Sequence, residues 1–263
     1  YIRSIMKDSS GNIWSGGYYN LKEIDYSSKS IRHFPGLNGI TAIIEKDSTH
    51  MWIGTATGLY LLEKATGKYT YIRMPVESYY IYSLCQTSDG MLYIGTNNAG
   101  LLVYDTAKNT FRHYHRDNCA LISNNIYCIL PASETDLVIS TENELTRFKV
   151  KERIFSNWTK EQGLMAVNFN PSSGIHTRSG YFIFGTGNGA IEIADTVSLP
   201  NRFKSKMIFS DFSILYQKVF PGEKNSPLTQ DIDDTEHITL DYNQNIFSLN
   251  AVSYTHLTLP TIA

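Results

Sequence analysis

The sequence predicts an all-β protein: five four-stranded β-propeller blades followed by the start of an Ig-like β-sandwich. Three observations carry this prediction. A short core motif of apolar residues, then Gly or Ser, then usually Thr recurs five times, with its small residue at positions 16, 54, 95, 140 and 185. The intervals of 38, 41, 45 and 45 residues match the unit length of a propeller blade, roughly 40 to 50 residues. The chain of 263 residues is also rich in strand-favouring rings, with 18 Tyr and 12 Phe, and such rings fit pleated, half-buried surfaces.

Each element of the repeat has a local reason. An apolar first strand is expected about ten residues before each core, at 2–6, 40–44, 81–85 and 126–130. A polar turn follows, as in Asp8-Ser9-Ser10-Gly11 and Ser88-Asp89-Gly90, where Asp bonds nearby amides and Gly takes positive φ. The core strand comes next: Ile13-Trp14-Ser15-Gly16, Met51 to Thr55, Leu92 to Thr96, Leu137 to Thr141 and Phe182 to Thr186. A small residue in mid-strand signals close backbone approach. The ring column at Trp14, Trp52, Tyr93, Val138 and Ile183 reads as packing between blades. A second turn closed by Gly58, Gly100 or Gly189 leads to a third strand, and a third turn to an aromatic fourth strand such as Phe111-Arg112-His113-Tyr114. Blades of this kind bury their two faces only by stacking on neighbours.

The period stops near residue 203. Two β-like stretches follow, 207–217 and 238–254, the second with Leu240, Tyr242, Phe247, Leu249 and Ala251 as its apolar positions. An acidic linker containing Asp231, Asp233, Asp234 and Glu236 separates them and reads as a solvated loop. The expected organisation is a propeller segment over 1–202, the first part of a sandwich over 203–254, and a non-native-looking tail over 255–263.

The net charge of −2 disfavours a nucleic-acid binder, which needs a basic face. No apolar run reaches the roughly 18 residues of a membrane span. Cys85, Cys119 and Cys128 lack metal-ligand spacing, and no nucleophile elbow, phosphate loop, zinc or dinucleotide motif is present. The expectation is therefore a non-enzyme without cofactor or metal. The chain begins in mid-pattern at Tyr1 and reads as a piece of a longer protein.

The run Asp8-x-x-Gly11-x-Ile13-Trp14, the motif Trp52-Ile53-Gly54-Thr55, and Tyr93-Ile94-Gly95-Thr96 followed by Gly100-Leu101 resemble the two-component regulator propeller repeat. The stretch from Ile238 to Leu249, ending at Ser253-Tyr254, resembles the start of the triple-Tyr domain that follows such propellers. This order resembles the periplasmic sensor region of Bacteroides-type hybrid two-component systems. The resemblance implies rings of about seven blades, a histidine kinase elsewhere, and an inner-membrane anchor in a segment outside this chain. It also implies a homodimeric receptor that senses oligosaccharides to regulate polysaccharide-use genes. The alternatives are a protein-interaction or dimerisation scaffold and, further off, a propeller hydrolase or lyase.

Ligands of propellers meet the face that carries the second-to-third-strand turns and the connections between blades. The candidate ligand-binding residues are those Tyr and Asn placed in these loops: Tyr18, Tyr19, Tyr79, Tyr80, Asn97, Asn98, Asn143 and Asn188. A Tyr ring stacks on a pyranose face, and an amide both donates and accepts. Turn chemistry accounts for many Asn, whereas paired Tyr is not a turn requirement.

Overall fold

The computed structural model describes residues 1–76, 80–158, 164, 168–195, 207–223, 226–235 and 237–253. The chain forms two compact units, Tyr1–Leu199 and Pro200–Ala263. The boundary expected at 202 and the tail 255–263 lie outside the described residues.

The first unit is a series of antiparallel sheets, one per repeat. Blade 1 is β1 (Ile2–Lys7), β2 (Ile13–Gly17), β3 (Leu21–Asp25) and β4 (Ser30–Phe34). Blade 2 is β5 (Ile40–Glu45), β6 (His50–Thr55), β7 (Gly58–Glu63) and β8 (Tyr69–Ile72). Blade 3 is β9 (Ile81–Gln86), β10 (Met91–Thr96), β11 (Leu101–Asp105) and β12 (Thr110–Tyr114). Blade 4 is β13 (Cys128–Pro131), β14 (Asp136–Ser140), β15 (Leu145–Lys149) and β16 (Ile154–Trp158). Blade 5 has three strands among the described residues, β17 (Phe169–His176), β18 (Tyr181–Thr186) and β19 (Gly189–Ala194). Every sheet is a meander in chain order.

The hydrophobic cores lie between blades. One joins Trp14, Leu21 and Phe34 of blade 1 to Ile43, Met51 and Leu62 of blade 2. Others join Trp52 to Leu84 and Tyr104, Tyr93 to Ile129 and Phe148, and Val138 to Phe182 and Phe184. Trp14, Trp52, Tyr93 and Val138 of the ring column are thus inter-blade packing, whereas Ile183 is half-buried and joins none of these cores, blade 5 packing through the neighbouring Phe182 and Phe184 instead. Stacking removes apolar faces from water that a lone meander leaves exposed. The small-residue column has a steric cause: a Cβ at Gly54 would sit 2.8 Å from Ile81 Cγ2, and one at Gly95 would sit 2.7 Å from Ile126 Cγ2.

A second repeating device sits at the entry of the innermost strands. Arg3, Thr41 and Tyr82 each fall where the register slips by one residue, between Ile2 and Ser4, Ile40 and Ala42, and Ile81 and Ser83. Blade 5 has a longer irregularity between Phe169 and Gly174. Such bulges re-aim a side chain out of the pleat.

The second unit is a three-stranded sheet ordered β21 (Gln217–Lys218), β20 (Met207–Ile214), β22 (Phe247–Ser253). Phe212 and Ile214 are buried with Leu228, and Val219, Ile232, Ile238 and Leu240 pack against them. The strand expected from 238 begins at Phe247. The apolar positions change parity between Tyr242 and Phe247, and a turn forms there: the Gln244 amide donates to Asp241 O, and the Asp241 amide to Gln244 Oε1. Asp231 caps and Asp234 ends a 3-10 turn, Ile232–Asp234. Glu236, Tyr254 and the Asp233 side chain lie outside the described residues.

Candidate functional site

The loop face of the propeller gathers aromatic and amide side chains from three blades. In the β2–β3 turn the rings of Tyr18 and Tyr19 lie 6.2 Å apart, 52% and 78% exposed. The bulged Arg3 places its guanidinium 4.8 Å from the Tyr18 ring centroid and donates through Nη1 to the Tyr80 hydroxyl at 2.6 Å. Tyr80 packs on Tyr82 (4.9 Å between centroids), and Tyr82 on Tyr127 (5.2 Å). Burial raises the phenol pKa of both Tyr82 and Tyr127, and the Glu142 carboxylate adds to the effect. The result is a run Tyr19, Tyr18, Arg3, Tyr80, Tyr82, Tyr127, ending at Glu142.

A polar cleft of about 320 Å³ adjoins this end, between the connection leaving blade 3 and the β14–β15 turn. Asn98, Asn125, Glu142, Asn143, Glu144 and Arg116 line it. The Asn98 amide donates to Asn125 Oδ1 at 2.7 Å, and Asn125 Nδ2 to Glu142 Oε1 at 3.0 Å. Burial raises the Glu144 carboxyl pKa, and its Oε2 is buried without a hydrogen-bond partner from the protein. Buried polar atoms are normally paired, so Oε2 is a free acceptor beside the cleft.

The structure places five of the eight residues singled out from the sequence in one of two features. Tyr18, Tyr19 and Tyr80 belong to the aromatic run, and Asn98 and Asn143 to the cleft. Asn97 lies beside the run, its amide donating to Tyr80 O at 2.9 Å. Asn188 is exposed in the β18–β19 turn and lines neither feature. Tyr79 lies outside the described residues. Asn98 also has φ +65°, so turn chemistry and cleft lining coincide there. Arg3, Tyr82, Tyr127, Arg116 and Glu144 were missed. Three of them share one sequence feature: Arg3, Tyr82 and Tyr127 each directly follow a repeat Ile, at 2, 81 and 126.

The innermost strands of the five blades also line an open cavity of about 310 Å³, which shares Arg3 and Tyr82 with the aromatic run. Ser172 of blade 5 spans its mouth, its Oγ donating to Tyr82 O at 2.6 Å and its amide to Tyr127 O at 2.9 Å. His113 and His115 are neighbours, 4.8 Å between centroids, but no cluster of three metal-ligating side chains occurs among the described residues.

A family profile described as two component regulator propeller matches residues 75–98. Histidine kinase P4 of Formosa agariphila is 23% identical over 223 residues, which is 81% of this chain and 16% of that protein. The extracellular domain of a hybrid two component system from B. thetaiotaomicron has a TM-score of 0.62 at 19% identity, over 75% of this chain and 27% of the other. A second such domain from that organism scores 0.55 at 16% identity, over 96% and 41%. Streptogramin B lyase scores 0.57 at 16% identity, over 79% and 71%. The chain therefore spans under half of the sensor proteins it matches. The structural likenesses establish the propeller-like all-β fold. Among the described residues no helix is long and apolar enough to cross a membrane.

Proposed function

We propose that this chain belongs to the extracytoplasmic ligand-sensing region of a hybrid two-component sensor histidine kinase, and that its loop face reads an oligosaccharide. One observation carries the reading: the Arg3-linked run of tyrosines ends against a polar cleft lined by Asn and Glu. Exposed rings offer stacking surfaces to pyranose faces, and the Asn amides and Glu142 lining the cleft offer donors and acceptors to hydroxyls. Pockets of this kind use few, well-placed polar groups to orient a ligand. The fold likeness to extracellular domains of two-component systems and the sequence likeness to a histidine kinase support the signalling context. Transmission through a homodimeric receptor requires the ligand to favour one arrangement by differential affinity. The module itself is non-catalytic.

Calorimetry against a glycan panel tests this. Saturable binding without product is expected. Tyr80→Ala and Tyr18→Ala should each weaken it about tenfold, or about 1.4 kcal/mol, with the melting transition retained. Unchanged affinity in both removes the aromatic run from the site, and product release contradicts the non-catalytic reading.

A protein-interaction scaffold is the second reading, favoured by Tyr18 and Tyr19 on the loop face, whose 52% and 78% exposed rings suit a protein partner as well as a glycan. A stable dimer that binds no glycan supports that alternative.

A further inference from the structure

The face opposite the loop face, where first strands turn into second and third into fourth, carries a groove between blades 3 and 4. Its volume is about 250 Å³. Its floor is aromatic: Tyr93, Tyr114 and Phe148, with Tyr93 and Phe148 each 1% exposed. Its rim carries Arg112 from β12 and Lys151 and Arg153 from the β15–β16 turn. None of these three cations forms an ion pair among the described residues. The acid at the groove, Asp89, is engaged by its own turn, its Oδ1 accepting from Thr87 Oγ1 and the Met91 amide.

The equivalent place at the junction of blades 1 and 2 is filled. The cross-strand row Trp14–Glu23–Arg32 in blade 1 corresponds to Tyr93–Val103–Arg112 in blade 3. Arg32 is satisfied by the next blade, donating to Lys64 O at 2.6 Å and Ala65 O at 2.7 Å. Lys64 fills the space beneath, bonded to Glu45 Oε1 at 2.5 Å and Asp8 Oδ2 at 3.3 Å. By the same register, blades 3 and 4 carry Thr87 in place of Asp8, Pro131 in place of Glu45 and Val150 in place of Lys64. The filling cluster is gone, the arginine remains, and two more cations flank it.

We propose that this groove is a second binding site, for a small amphipathic anion: an aromatic or branched apolar body carrying a carboxylate or phosphate head. The body lies against the apolar lining of the groove, contacting the part-exposed Tyr114 ring above the buried Tyr93 and Phe148, where removing apolar surface from water favours association. The head meets Arg112, whose planar fork matches such oxyanions, together with Lys151 and Arg153. Uncompensated cations around a walled groove also raise the local concentration of anions.

The test is a titration of the 263-residue chain with phenyl phosphate, inorganic phosphate and benzyl alcohol, followed by calorimetry and by the ring resonances of Tyr93 and Tyr114. Phenyl phosphate should bind saturably, at least about tenfold more tightly than either half-probe. Arg112→Gln, an exposed position, should weaken it about tenfold, and Lys151→Gln with Arg153→Gln should weaken it comparably. Raising the salt should weaken it further. Thr87→Asp with Val150→Lys restores two members of the filling cluster and should abolish binding in a folded chain. Absence of saturable phenyl phosphate binding overturns the proposal. So does equal affinity for either half-probe, or affinity unchanged by Arg112→Gln.

Discussion

The junction between blades 1 and 2 and the junction between blades 3 and 4 share one register and are closed by opposite chemistry. The first is polar at its rim. Trp14 Nε1 donates to Asp8 at 2.9 Å, Lys64 bridges Asp8 and Glu45, and Arg32 caps two carbonyls across the gap. The second is closed by rings. Phe148 and Phe155 stack at 4.2 Å, with Tyr114 5.5 Å and 5.4 Å from them and Tyr93 6.3 Å from Phe148. The meander fixes which positions face each other across a junction; the side chains there decide whether the junction is filled to its rim or left grooved above an aromatic floor.

Substitutions can break or sharpen that contrast. Phe148→Ala should have the largest effect, a loss of about 3 to 5 kcal/mol, because it opens a cavity in the stack; urea unfolding checks it. Lys64→Met should cost about 2 to 3 kcal/mol by stranding Asp8 and Glu45, whose side chains are 1% and 19% exposed. The paired comparison at one register position is sharper. Arg32→Gln should cost about 1 kcal/mol through two charge-assisted bonds, whereas Arg112→Gln should leave stability within about 0.5 kcal/mol. Equal losses at the two arginines would contradict the assignment of Arg112 as unengaged.

Acid offers the smallest and most selective perturbation. Burial alone would raise the Asp8 and Glu45 carboxyls, but hydrogen bonds to Trp14, Asn12 and Ser9 and the Lys64 ammonium outweigh it and lower both pKa values. Groups depressed on folding contribute stability above their unfolded values, about 4, and lose it as pH falls through the folded ones. Lys64 is raised by Glu45 and Asp8 against its own burial, so its share is lost only as pH climbs through a folded value above its usual one, about 10.4. Trp14 fluorescence should therefore report loosening of the first junction below about pH 4, and Lys64→Met should blunt that response. Amide exchange across Tyr93 and Phe148 should stay flat over the same range.

The sequence made the blades legible because their signals are local and repeated: a small residue wherever the next blade's Ile approaches, and an apolar row wherever blades stack. The candidate site was legible only where loop composition was odd, as at Tyr18-Tyr19 and Tyr80. Arg3 and Tyr82 escaped because a bulge re-aims them and strand alternation gives no warning of that. Tyr127 escaped because it precedes its strand and reads as ordinary β sequence. Glu144 looked like any turn acid, since only burial distinguishes its free oxygen. The strand expected from 238 shows the converse: apolar residues on both sides of a parity change look like one alternating run.

The central functional claim is that the loop face, with its Arg3-linked tyrosines, is where this module reads a glycan. The most direct measurement is an NMR titration of the chain with an oligosaccharide panel, following Tyr18, Tyr80, Tyr82, Tyr127 and Asn125. The account predicts saturable shifts concentrated on those residues, with the glycan recovered intact. Shifts centred elsewhere, or conversion of the glycan, would contradict it.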